Sequence, residues 1–184
     1  RANKCKTALI TPTHAYIEKE LANEHSNVAN SHIVAATLKG RDMPEPEKQL
    51  CAYCDEGETL DAFGIIIAEL PASKLVLFKE QSHKGRVIVA SKHHVSEIVD
   101  LSDEEREAFL NDVNHVAKAL HAAFHPDKIN YGAYGDDGHH LHFHLCPKYR
   151  DGFEWKTVFA MNPDRVHLDE SQYQELAKAI IQHL

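Results

Sequence analysis

Three histidines alternate with apolar residues in His140-Leu141-His142-Phe143-His144-Leu145-Cys146. Successive side chains of an extended strand point to opposite faces. This spacing therefore puts the three imidazoles on one face and sends Leu141, Phe143 and Leu145 into a core. Neighbouring imidazoles on such a face stand about 6.5–7 Å apart, within reach of a shared phosphate, metal ion or proton. Each buried imidazole needs hydrogen-bond partners, so three in register read as a site rather than as packing. Cys146 shares their parity and reads as a small buried packing residue.

A second candidate group is Cys51-Ala52-Tyr53-Cys54. A C-x-x-C pair serves as half of a zinc site or as a redox couple. The redox form opens a helix in a βαβ setting. Here the motif follows Met43-Pro44-Glu45-Pro46-Glu47-Lys48, which reads as a linker, so zinc is the expectation if two more ligands arrive from elsewhere. Four cysteines in 184 residues, without an export signal, do not read as a disulfide framework.

The elements that must position these groups are legible in the hydrophobic pattern. Residues 14–38 read as helical, through Ile17, Leu21, Val28, Ile33, Val34 and Leu38, with Gly40 as a stop. Asn27, Asn30 and Ser31 weaken the centre, so two helices are an alternative. Strands are predicted over 63–67, 74–79 and 85–90, joined by short polar links as antiparallel hairpins. Ser102 with Glu105 forms a capping box, Asp103 and Glu104 suit the positive helix end, and Pro126 closes the region. Phe109, Val113, Val116 and Leu120 mark that helix's apolar face, while His115 and His121 read as surface or boundary residues. Two further strands, 129–134 and 140–146, flank Gly135-Asp136-Asp137-Gly138, and 169–184 reads as a final amphipathic helix. Strands in runs point to an α+β fold: an antiparallel sheet of about five strands with a long helix packed on it. Residues 1–50 are expected to form a helical extension and linker, and residues 51–184 the main domain.

A net charge of −8 argues against a nucleic-acid polymer as partner, though not against a small nucleotide. No apolar run is long enough to span a bilayer, and no basic region followed by an apolar one precedes the first element. A cytoplasmic protein without a membrane partner is expected.

The 140–146 run resembles the His-φ-His-φ-His-φ-φ signature, φ apolar, of the histidine triad (HIT) family of nucleotide hydrolases and transferases. It fits at every position with Cys146 taken as apolar. Asn130-Tyr131-Gly132 is similar to the family's Asn-x-Gly segment. Val89-Ala90-Ser91-Lys92-His93-His94 resembles its apolar-Pro-Lys-x-His stretch, with His94 at the His position. Cys51 and Cys54 match the Cys-x-x-Cys that opens zinc-containing members.

The resemblance implies a HIT-like fold, a homodimer whose sheets continue across the interface, and a nucleotide or nucleotide-conjugate substrate. It implies attack of neutral His142 on an α-phosphate, a nucleotidyl-histidine intermediate, and His144 hydrogen-bonding the phosphate or leaving group. The position of His142 between two imidazoles points the same way. Cys51, Cys54, His94 and His140 would close a structural Zn2+ site; in zinc-free relatives the first triad histidine instead orients its neighbour. His93 and His139 adjoin these ligands and are their alternates. Expected nucleotide contacts are Asn130, His144, Gly138 through the amides of its turn, and Gln81 in place of the Asn of the family's Asn-Pro loop. Lys84 or Arg86 adds a positive group in a loop where the family has Pro-Gly-His.

Asp136-Asp137-Gly138-His139 departs from the family's Gly-Gln-Ser-type segment, and two carboxylates there repel phosphate unless turned away or paired. Two other readings remain: a metalloenzyme with His140, His142 or His144 as catalytic ligands, and a non-catalytic nucleotide binder. Nucleotidyl transfer is the family's other branch, similar to galactose-1-phosphate uridylyltransferase. Leu141 and His144 replace that branch's Pro and Gln, so hydrolysis is expected. Trp155 reads as core packing, or as part of a loop covering the site.

Overall fold

The computed structural model describes residues 51–136 and 138–184. The helical extension and linker expected over 1–50 lie outside the described residues, as does Asp137. The elements are α1 (Ala52–Asp55), α2 (Glu58–Asp61), β1 (Gly64–Glu69), β2 (Ser73–Phe78), β3 (Val87–Ser91), α3 (Asp103–Phe124), β4 (Lys128–Gly132), β5 (His142–Lys148) and α4 (Glu170–Ile181). They build one five-stranded sheet in the order β1-β2-β3-β5-β4, with every neighbouring pair antiparallel. This is the α+β architecture expected from the runs of strands. Among the described residues no helix is long and apolar enough to cross a membrane.

The sheet is buried on both faces, which explains why β2 and β3 are near-continuous apolar runs. One face carries Leu75, Leu77, Val87, Val89 and Leu145 against α3 and α4, through Phe109, Val113, Val116, Leu120, Leu176 and Ile180. On the other, Val76, Phe78, Ile88 and Ala90 pack with Leu60, Tyr53 and Phe63 from the segment that opens the domain. The histidines stand on this second face, because Ile88 pairs with His144 and Ala90 with His142. Leu141 and Leu145 are buried on the helix side, as their parity requires.

The long helix begins where its cap dictates. The Ser102 hydroxyl accepts from the Glu105 amide while the Glu105 carboxylate accepts from the Ser102 amide. Within α3, the buried Asp112 accepts from Ala72 N at 2.8 Å and Ser73 Oγ at 2.7 Å, tying the helix to the turn before β2.

The triad strand starts and ends later than expected. His140 and Leu141 precede β5 because Leu141 N–H donates to Val95 O, and Leu141 O accepts from Ser91 N, outside the regular ladder. At the far end β5 runs on through Pro147, which has no N–H to offer. β3 pairs with β5 only as far as Leu145, whereas β4 pairs as far as Lys148. The proline thus sits where one side of the strand has no partner.

Candidate active site and metal cluster

β5 and the loop before it place three imidazoles whose ring nitrogens meet three different partners. His140 Nε2–H donates to Ser91 O at 2.8 Å, leaving Nδ1 bare. That bare nitrogen lies 3.2 Å from Cys51 Sγ, 3.4 Å from Cys54 Sγ and 3.2 Å from His94 Nδ1. His94 Nδ1 is in turn 3.2 Å from Cys54 Sγ. The four ligand atoms all fall within 4.8 Å of one another. Zn–S bonds of about 2.3 Å and Zn–N bonds of about 2.0–2.1 Å make a tetrahedron with edges of roughly 3.3–3.8 Å, so the set fits a zinc-sized ion. The donor chemistry fits too. Burial and the adjoining Cys51 sulfur push the Cys54 thiol up to about 11, a penalty on two neighbouring thiolates that a divalent cation reverses. Of the two adjacent histidines, His94 reaches the cysteines, whereas His93 is exposed and lies 3.4 Å from Glu105.

His142 is oriented by its own chain. Its Nδ1–H donates to His140 O at 2.7 Å, which leaves Nε2 with the lone pair. Burial holds its pKa below the ordinary histidine value. The Tyr53 ring, from inside the C-x-x-C turn, lies 5.0 Å from both the His140 and His142 rings. His144 is buried, its ring 5.3 Å from that of His142. Burial and the Arg86 guanidinium push its pKa down to about 3. The three rings do not converge on one point. The metal-type cluster among the described residues takes in His140 but neither His142 nor His144.

A cavity of about 440 Å³ opens beside His140 and His142, lined by Glu97, Tyr134, Gly135, Asp136, Gly138 and His139 among others. Gly135 runs against the His142 ring: a Cβ there would stand 3.7 Å from His142 Cε1. Its carbonyl accepts from Gly138 N at 3.2 Å, closing the turn before the triad. Asp136 and His139 are both exposed at this cavity. Asn130 pairs with Cys146 across β4 and β5, which puts it on the histidine face.

Residues 63–151 match the family model described as HIT domain. They form a HIT domain. A curated relative, Protein hit of Bacillus subtilis, is 28% identical over 110 residues, covering 50% of this chain and 76% of the relative. The fold is shared with solved structures. A histidine triad protein from Sinorhizobium meliloti matches with TM-score 0.65 and 22% identity, over 70% of this chain and 95% of that one. A zinc-bound histidine triad family protein from Mycobacterium smegmatis matches with TM-score 0.53 and 23% identity, over 72% and 94%. The HIT-domain match supports, in general terms, a nucleotide-binding hydrolase or transferase.

Two placements in the HIT domain were not legible beforehand. Gln81 does not turn toward the triad as a ribose partner. Its amide nitrogen donates to Phe78 O and Arg86 O, and its oxygen accepts from Gly85 N, so it closes the β2–β3 turn. It lines a different cavity, against Phe124 and α4. Tyr53 was missed; its place between two candidate ligands was the available signal, since a residue inside C-x-x-C must lie against whatever the cysteines bind.

Proposed function

We propose that this HIT domain hydrolyses a nucleotide conjugate at its α-phosphate, with His142 as nucleophile. The substrate class is a nucleoside phosphoramidate, a nucleoside diphosphate derivative or a dinucleoside polyphosphate. The observation that carries the reading is the hydrogen bond from His142 Nδ1–H to the His140 carbonyl, which fixes the bare nitrogen at Nε2. That lone pair forms the N–P bond as the bond from phosphorus to the leaving group breaks, and the leaving group departs with its electron pair. Water then attacks phosphorus and gives up a proton to solvent, the N–P bond breaks, and the pair returns to Nε2. A depressed pKa keeps the imidazole neutral and nucleophilic at pH 7.

His144 donates a hydrogen bond to a phosphate oxygen or to the leaving group, and Asn130 and the amides of the Gly135–Gly138 turn add further donors. Zinc, when held by Cys51, Cys54, His94 and His140, fills a closed four-ligand site and acts structurally. The geometry of those four side chains and the zinc-bound relative support this assignment. His140, through its own carbonyl, orients the nucleophile from beside that site. The assembly we assign is a homodimer that continues the sheet, in keeping with an edge strand, β4, whose Tyr131 is 52% exposed.

The test is turnover of an adenosine phosphoramidate and dinucleoside polyphosphate panel by wild type and His142→Ala, with and without brief chelation. Turnover that survives chelation and vanishes in the variant is expected. Turnover lost on chelation from a folded protein, or kept by His142→Ala, refutes the assignment.

A further inference from the structure

Arg86 is fully buried immediately before β3, the strand next to the triad strand. Its terminal nitrogens find partners, as burial of a guanidinium demands, while Nε has none. Nη1 donates to Ala160 O at 3.0 Å and Nη2 to Met161 O at 2.9 Å. Nη2 also lies 3.4 Å from His144 Nδ1. The Phe78 and Phe159 rings flank the guanidinium carbon at 4.3 and 4.9 Å, and the Glu80 carboxylate stands 3.8 Å from Nη1. The group is thus held from several sides with one N–H edge toward the third triad histidine.

A guanidinium only donates; it has no acceptor atom. We propose that Arg86 is a positioning residue that fixes the tautomer of His144: its Nη2–H occupies the Nδ1 lone pair and confines the ring proton to Nε2. His144 then presents a hydrogen-bond donor, while His142, whose Nδ1–H is held by a carbonyl, presents a bare Nε2. Two imidazoles of one face are given opposite tautomers by two opposite partners, one acceptor-only and one donor-only. An amide or an imidazole at position 86 can both accept and donate, and would leave the His144 proton free to sit on either nitrogen. Resting on the reading of His142 as nucleophile and His144 as donor, this assigns to Arg86 the task of keeping the two roles distinct.

The experiment is a long-range 1H–15N correlation spectrum of the imidazoles in the full-length protein, with His144 assigned by its disappearance in His144→Gln. In wild type, His144 is expected to show a protonated-type Nε2 and a bare-type Nδ1, the latter displaced from an unbonded position by the hydrogen bond it accepts. Arg86→Met keeps the apolar stem and removes the donor. It should convert that single form into an averaged pair of tautomers and abolish the displacement. A wild-type His144 carrying its proton on Nδ1, an averaging wild-type ring, or an undisplaced Nδ1 signal overturns the proposal, whether or not Arg86→Met folds. So does an unchanged pattern in a folded Arg86→Met. None of these signals depends on turnover, so an inactive protein with the expected tautomers refutes the hydrolase reading alone.

Discussion

Acid should destabilise this domain in part through His144. In the folded protein, burial and the Arg86 charge push its pKa down to about 3, whereas an unfolded histidine titrates near 6.5. Below about pH 6.5 the unfolded chain binds a proton that the native state refuses, so stability falls as pH falls, until the folded pKa is reached. One pKa unit corresponds to about 1.4 kcal/mol, so acidifying from pH 7.5 to 4.5 removes about 2–3 kcal/mol through this one residue. Urea unfolding of wild type and His144→Gln at the two pH values isolates that contribution. Carboxylates, His140 and His142 titrate in both proteins and cancel in the difference. The variant should lose about 2–3 kcal/mol less than wild type over the interval. Equal losses in the two proteins would refute the claim that the folded site keeps His144 neutral.

Ser102→Ala removes the α3 cap, in which the hydroxyl accepts from Glu105 N. It should lower stability by about 1 kcal/mol, read as a lower thermal midpoint. Gly85 has φ of 85°, and a Cβ there would stand 2.5 Å from the Phe124 ring. Gly85→Ala should therefore cost about 2 kcal/mol or more in chemical denaturation. Cys54→Ser should drop the zinc content measured by elemental mass spectrometry from one ion per chain to near none, whereas unchanged zinc would place the ion elsewhere.

What the sequence made legible was whatever depends on local geometry. Alternation along an extended chain is enough to put His142 and His144 on one face with Leu145 buried behind them. The start of α3 was legible because Ser102 and Glu105 act on each other across a single turn. Partners distant in sequence were not. Arg86, between a glycine and a valine, has no local mark of burial, and its acceptors Ala160 and Met161 come from a loop beyond the triad. Gln81 sits in a polar loop where either direction was open, and unmet backbone groups of the turn decided it. His140 lies with Cys51, Cys54 and His94 but outside the strand, because the pairing of Leu141 with Val95 and Ser91 depends on the path of residues 91–95.

The account turns on a covalent bond between His142 and the α-phosphate. The most direct test is the mass of the protein quenched in alkali during turnover of an adenosine phosphoramidate, with the adduct mapped by peptide. The account predicts one nucleoside monophosphate on the peptide carrying His142, formed within a single turnover and absent from His142→Ala. Turnover without any such adduct, undiminished in His142→Ala, would contradict it.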